Sequence, residues 1–298
     1  LKKDIFSESE RLAFLSSKFR EMFDLWGYRE IFLPTVENLN ERLRKGIKLV
    51  HNGEIYVVKP DLTSQILANY KDDDKTIRIF YISEVLNSDI KGMLQAGIEF
   101  IGGKEREMWV EVLSIVITSL DHVGLKEFYL DIGSLKVWKD ATEDIGGFRE
   151  EVFLALKRRN FGIIEELPID DEKKEELWKL FNFRGKKSGF EDLDFLIEAL
   201  KDERVFLDLG TMRLLNYYDD MVFEAYAPGF GFPIGGGGDY IVNGKKGVGF
   251  AFYLNNLVNL CEFNEVNEDD RIELSGDLIE RYERARDLVR RGIAIKPM

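Results

Sequence analysis

One short stretch, MRLLNYYDDMVFEAY from Met212 to Tyr226, gathers residue types that recognise small charged molecules. Arg213 offers a planar fork of donors suited to a carboxylate. Tyr217 and Tyr218 follow it, then Asp219, Asp220 and Glu224, beside an apolar run that reads as a strand. Such a set can hold an amino acid, either to react with it or only to recognise it. Plainer roles are open too. Arg213 can pair with Asp219, Asp220 or Glu224, and Tyr218 can be a core residue. Asp61 precedes an apolar helical run, which suits it to a cap as well as to a ligand.

Other chemistries are poorly supplied. His51 and His122 lie far apart and Cys261 is the lone cysteine, so no histidine- or cysteine-based metal site and no internal disulfide is expected. Cys261 reads as a small buried hydrophobe. GFGFPIGGGGD fits neither phosphate-loop spacing and sits between strands, so a tight turn with close backbone approach is expected there. The net charge of −13 argues against a nucleic-acid partner. The one dense basic stretch, RYERARDLVRRGIAIK, carries Leu278, Tyr282, Ala285 and Val289 at helical spacing. With the i,i+4 pairs Asp277–Arg281 and Glu280–Arg284, it reads as an amphipathic helix docked on the body. No targeting segment or membrane-spanning run is expected from the pattern of apolar residues, and the cysteine usage suits a reducing cytoplasm.

The elements that must position these residues alternate between two periods. Leu12, Leu15, Phe19, Met22 and Trp26 predict a first helix, opened by a Ser7–Glu10 capping box and closed by Gly27. YREIFLPTVE reads as a strand broken at Pro34. KLVHNGEIYVVKP predicts a hairpin turning at Asn52-Gly53. A short helix follows Asp61, then strands in RIFYISEVL and LQAGIEFIGG, and a long helix over Glu105–Val123. After the strand FYLDIG, residues 141–202 turn helical and highly charged, an expected inserted subdomain. Strands return at VFLDLG, MVFEAYA, DYIVNG and GVGFAFY. This order predicts an α+β fold with an antiparallel sheet flanked by helices. The expected organisation is a core of 1–140 and 203–262, the insertion, and a helical tail over 263–298.

In this order the pieces resemble the catalytic core of class II aminoacyl-tRNA synthetases, the histidyl enzyme most closely, over roughly residues 5 to 258. The segment around Pro34 looks like class motif 1, which in that family builds a dimer interface. RIFYISEVLNSDIKGMLQAGIEFIGG looks like motif 2, and GVGFAFYLNNL like the end of motif 3. RLLNYY resembles the histidine-specific Arg-Gly-Leu-Asp-Tyr-Tyr, and GGDY resembles Gly-Gly-Arg-Tyr. The resemblance implies a histidine pocket made of Asp61, Thr63, Gln95, Glu99, Arg213, Tyr217, Tyr218 and Tyr240. Asp61 and Thr63 would hold the α-ammonium, Gln95 and Glu99 would read the imidazole, and the tyrosines would close the site.

The same resemblance implies a lost ATP half. Where the family uses arginines, motif 2 offers Asn87 and motif 3 offers Asn256, and Asp239 replaces the arginine of Gly-Gly-Arg-Tyr. An amide carries no charge to set against a triphosphate. About 40 residues follow Leu257, against an anticodon-binding domain of about 90–100 in histidyl synthetases. Together these features resemble the regulatory-subunit family of ATP phosphoribosyltransferase. That family implies a protein without catalysis or cofactor of its own and a short-form catalytic subunit as partner. It also implies a regulatory dimer within a hetero-octamer, and histidine as effector. The competing expectation is a truncated or divergent histidyl-tRNA synthetase-like ligase that adenylates histidine. A tRNA- or protein-binding module that has lost its ligand is a third.

Overall fold

The computed structural model describes residues 5–41, 43, 46–59, 61–71, 75–86, 90–213, 215, 217–263, 271–275 and 277–296. The chain opens with α1 (Ile5–Leu25), β1 (Arg29–Glu30), β2 (Val36–Asn38), β3 (Lys48–His51), β4 (Glu54–Val58) and α2 (Leu62–Asn69). Next come β5 (Ile77–Leu86), β6 (Gly92–Ile101), α3 (Glu105–His122), β7 (Tyr129–Ser134) and α4 (Leu135–Ala141). The charged region supplies α5 (Arg149–Arg158), α6 (Gly162–Glu165), α7 (Asp171–Phe181), β8 (Arg184–Gly185) and α8 (Glu191–Leu200). The last elements are β9 (Val205–Asp208), β10 (Tyr218–Tyr226), β11 (Gly235–Val242), β12 (Lys245–Tyr253), α9 (Leu254–Leu257) and α10 (Leu278–Arg290).

Local chemistry sets several boundaries. Gly27, at φ 80°, lets the chain leave α1 through a left-handed turn. Ser7 lies inside α1, so the expected capping box does not mark the start of this helix. Asn52 and Gly53, at φ 51° and 81°, form the tight turn between β3 and β4. Asp61 caps α2 by accepting the Ser64 N–H at 2.7 Å.

Among the described residues, nine strands form one sheet in the order β1-β5-β6-β12-β11-β10-β7-β9-β8. The run from β5 to β7 is antiparallel throughout, while β1 joins β5 and β9 joins β7 in parallel. The sheet is thus antiparallel at its centre and mixed toward its edges. A separate hairpin sheet has the order β2-β4-β3.

Strand alternation gives the sheet two different faces. Phe80, Ile98, Phe100, Phe223, Val248, Phe250 and Phe252 point to one face and build the main core with α1, α3 and α9. There Phe19 stacks on Phe252 with ring centroids 4.8 Å apart. Tyr81, Ile101, Tyr240 and Val242 point to the other face, where α2 covers them with Leu62, Ile66 and Leu67. The helices α5, α6 and α7 surround a smaller core of Trp138, Val152, Leu156, Ile164 and Leu177. By contrast α8 packs on α3, and its Leu193 and Leu196 belong to the main core.

The chain divides into two compact units, Leu1–Cys261 and Glu262–Met298. In the second, Asp277 caps α10 by accepting the N–H groups of Ile279 and Glu280 at 2.8 and 3.0 Å. Ala285 and Leu288 pack with Leu274, Ile293 and Ile295. Val289, expected on the apolar stripe, is exposed, and Leu288 takes its place. The side chains of Leu278 and Tyr282 lie outside the described set.

Candidate functional site

The site lies on the α2 side of the sheet, where three neighbouring strands present glycine. Gly97 is on β6, Gly236 and Gly238 are on β11, and Gly247 and Gly249 are on β12. The missing side chains are what make the room. A Cβ on Gly249 would stand 1.9 Å from Glu99 Oε2, and one on Gly236 would stand 2.2 Å from Arg213 Nη1. A Cβ on Gly238 would meet the Tyr218 ring at 2.6 Å, and one on Gly247 the Tyr240 ring at 2.4 Å. Glu99, Arg213, Tyr218 and Tyr240 therefore each lie over a glycine. The GGGG run, expected as a turn, is instead the start of β11, and its close approach is to side chains lying across it.

All eight residues expected in the pocket line one small cavity of ≈ 80 Å³. Glu99 is its electrostatic centre and is fully buried. Thr63 donates its hydroxyl to Glu99 Oε1 at 2.6 Å, and the Tyr240 hydroxyl donates to Oε2 at 2.6 Å. Burial pushes the Glu99 carboxyl up to about 7; the two hydroxyl bonds oppose that rise and nearby Asp61 adds to it. A carboxyl so placed gains from a cationic or N–H-donating ligand, which would restore the charged form. Asp61 both caps α2 and lines the cavity, so the cap leaves its carboxylate at the site wall. Tyr217 and Tyr218 meet edge to face at 4.8 Å, and Tyr217 and Tyr240 at 6.4 Å. These rings supply apolar walls, and burial pushes the Tyr218 phenol up to about 12 despite nearby Arg213.

Arg213 reaches the cavity from the irregular segment before β10. Its Nη1 donates to Glu224 Oε1 at 3.3 Å and its Nη2 to the Tyr253 hydroxyl at 2.8 Å. The pairing with Glu224 foreseen as the plainer role is therefore present, in a residue that also lines the site. Tyr81, Leu215 and Tyr253 complete the wall and were not singled out from the sequence. Tyr81 was legible in principle, since it shares the face of Ile79 and Val85 in the β5 alternation.

Two positions correct the sequence reading. Asp239 contributes no charge to the cavity, because β11 alternation turns it to the opposite face from Tyr240. There Oδ1 accepts the N–H groups of Asp220 and Met221 at 2.7 and 3.1 Å, clamping the bulge in β10. Its Oδ2 pairs with Lys246 Nζ at 2.9 Å; burial pushes its carboxyl up to about 6, with Lys246 pulling the other way. Asn256 does not line the cavity either. It donates to the Pro233 carbonyl at 2.8 Å, while Asn255 accepts the Leu94 N–H at 2.8 Å, so α9 ties the loop before β11 to β6. Asn87 falls outside the described residues. Among the described lining residues Arg213 is the one cation. The arrangement can hold a small zwitterion with acceptors at one end and a guanidinium at the other.

Comparison with known proteins agrees with this geometry. The family model described as histidyl-tRNA synthetase matches residues 5–194 and 182–257. An ATP phosphoribosyltransferase regulatory subunit from Caldanaerobacter subterraneus is 30% identical over 270 residues, 76% of this chain and 70% of that protein. A histidine–tRNA ligase from Methanocaldococcus jannaschii is 28% identical, covering 97% of this chain and 79% of that protein. The fold also matches a chain of the ATP phosphoribosyl transferase (HisG:HisZ) complex from Thermotoga maritima, with a TM-score of 0.70 and 22% identity over 80% of this chain and 96% of that one. This chain belongs to the histidyl-tRNA synthetase family, within which these matches place ATP phosphoribosyltransferase regulatory subunits beside the ligases.

Proposed function

We propose that this chain is the non-catalytic regulatory subunit of an ATP phosphoribosyltransferase, with histidine as the ligand of the Glu99 cavity. The observation that carries the reading is the charge inventory of that cavity. Carboxylates and hydroxyls suit an ammonium and an imidazole N–H, and one guanidinium suits a carboxylate. Adenylation would add an α-phosphate whose transition state calls for several fixed cations. Arg213, the one cation among the described lining residues and already bound to Glu224 and Tyr253, does not meet that need.

As a regulatory subunit the chain pairs with a short-form catalytic subunit, and self-association into a dimer within a hetero-octamer is part of the proposal. Histidine controls such a complex only by binding its inhibited arrangement more tightly than its active one. By reciprocity, the active arrangement weakens histidine binding. Co-expression with a short-form catalytic subunit tests this. Co-purification, with phosphoribosyltransferase activity in the mixture and not in either chain alone, is expected. Full activity of the catalytic chain without this one, or failure of the two to associate, would overturn it.

The adenylating ligase is the second reading, favoured by the nearly full-length match to the Methanocaldococcus enzyme. It requires histidine-dependent exchange of pyrophosphate into ATP by this chain.

A further inference from the structure

An arginine borne on an irregular segment is a poor recognition element unless something fixes it. Around Arg213 the fixing comes from three adjacent strands. Gly236 on β11 leaves the space that Nη1 occupies. Glu224, paired with Gly236 in the neighbouring register of β10, accepts from Nη1. Tyr253, the last residue of β12, accepts from Nη2. Glu224 is itself held, since Tyr226 donates its hydroxyl to Oε2. Both ends of the guanidinium are thus tied down across β11. The third nitrogen, Nε, is buried and its N–H has no hydrogen-bond partner, although Arg213 lines the cavity.

From this we infer that Tyr253 and Glu224 are positioning residues that aim the Nε edge of Arg213 at a free carboxylate. The inference rests on the reading of the cavity as a histidine site. A buried N–H without an acceptor is unfavourable, and a carboxylate oxygen supplies that acceptor with charge assistance. Because the tethers restrict the guanidinium before the ligand arrives, less side-chain freedom is lost on binding. The pocket then selects for an intact α-carboxylate, and ligands that share the imidazole and ammonium but lack the acid gain nothing from the tethers.

Calorimetry on the full chain with histidine and with histamine, its carboxylate-free analogue, separates this role from simple packing. Tyr253→Phe removes only the hydroxyl. It should weaken histidine about tenfold and leave histamine within about twofold. A second readout is the Arg213 Nε–H resonance, assigned by its loss in Arg213→Lys. It should move on addition of histidine to the wild type, and much less with histamine. Equal loss for both ligands, an unchanged histidine affinity, or an Nε–H signal indifferent to the carboxylate would overturn the inference. A wild type that binds no histidine would instead remove the underlying reading of the site.

Discussion

The buried carboxyl of Glu99 allows a sharp test, because its ionisation should cost stability while serving recognition. Folding moves this group from its ordinary 4.5 up to about 7. Between those two values the folded chain holds a proton that the unfolded chain has released, so stability falls as pH rises through that window and is flat above it. The full difference is about 3 kcal/mol. Glu99→Gln removes the charge and keeps the shape. It also leaves one carbonyl oxygen for two hydroxyl donors, Thr63 and Tyr240, so one of them must reverse, at about 1 kcal/mol. Urea denaturation should therefore find the variant about 1–2 kcal/mol more stable than the wild type at pH 8, with that advantage absent at pH 5. Histidine affinity measured by calorimetry should fall by about 10- to 100-fold, the loss of a charge-assisted bond. A variant less stable than the wild type at pH 8, or one that binds histidine as before, would refute the reasoning.

Two further predictions address the supports of the site. Gly249→Ala puts a Cβ 1.9 Å from Glu99 Oε2 and 2.8 Å from the Ile98 carbonyl; it should cost about 1–3 kcal/mol in denaturant titration and abolish measurable histidine binding. Lys246→Met strands the fully buried Asp239 and should destabilise by about 3–5 kcal/mol at pH 8, with partial recovery in the Asp239→Asn double variant. Because burial already holds the Asp239 carboxyl up near 6, protonation relieves the lone charge, so the Lys246→Met loss should shrink as pH falls toward 5. A loss of equal size at both pH values would contradict that account.

Much of this arrangement is legible in the sequence wherever a local rule and the tertiary fold agree. Asn52-Gly53 must turn left-handed, Asp61 must find an N–H, and Gln95, Gly97 and Glu99 must share a face of β6. The run from Gly235 to Gly238 defeated the same reasoning, because glycine has no side chain to show alternation and its flexibility favours turns. Its strand exists because Phe223, Phe250 and Phe252 cover one face and the site's side chains fill the other. Asp239 was misplaced for a related reason. Its neighbours in sequence do not reveal which face it takes, and Lys246, which neutralises it, comes from the next strand. Asn256 and Tyr253 are likewise decided by where β12 gives way to α9. Around Val289, one residue of helical phase separated the apolar stripe from the observed one, as Leu288 is the buried member.

The proposed regulatory role needs a cavity that holds histidine without activating it. One preparation of the full chain, titrated with histidine and alanine by calorimetry and assayed in parallel for pyrophosphate–ATP exchange, addresses that directly. Saturable binding of histidine in clear preference to alanine, with no histidine-dependent exchange, is the predicted result. Exchange above background, or equal affinity for the two amino acids, would contradict it.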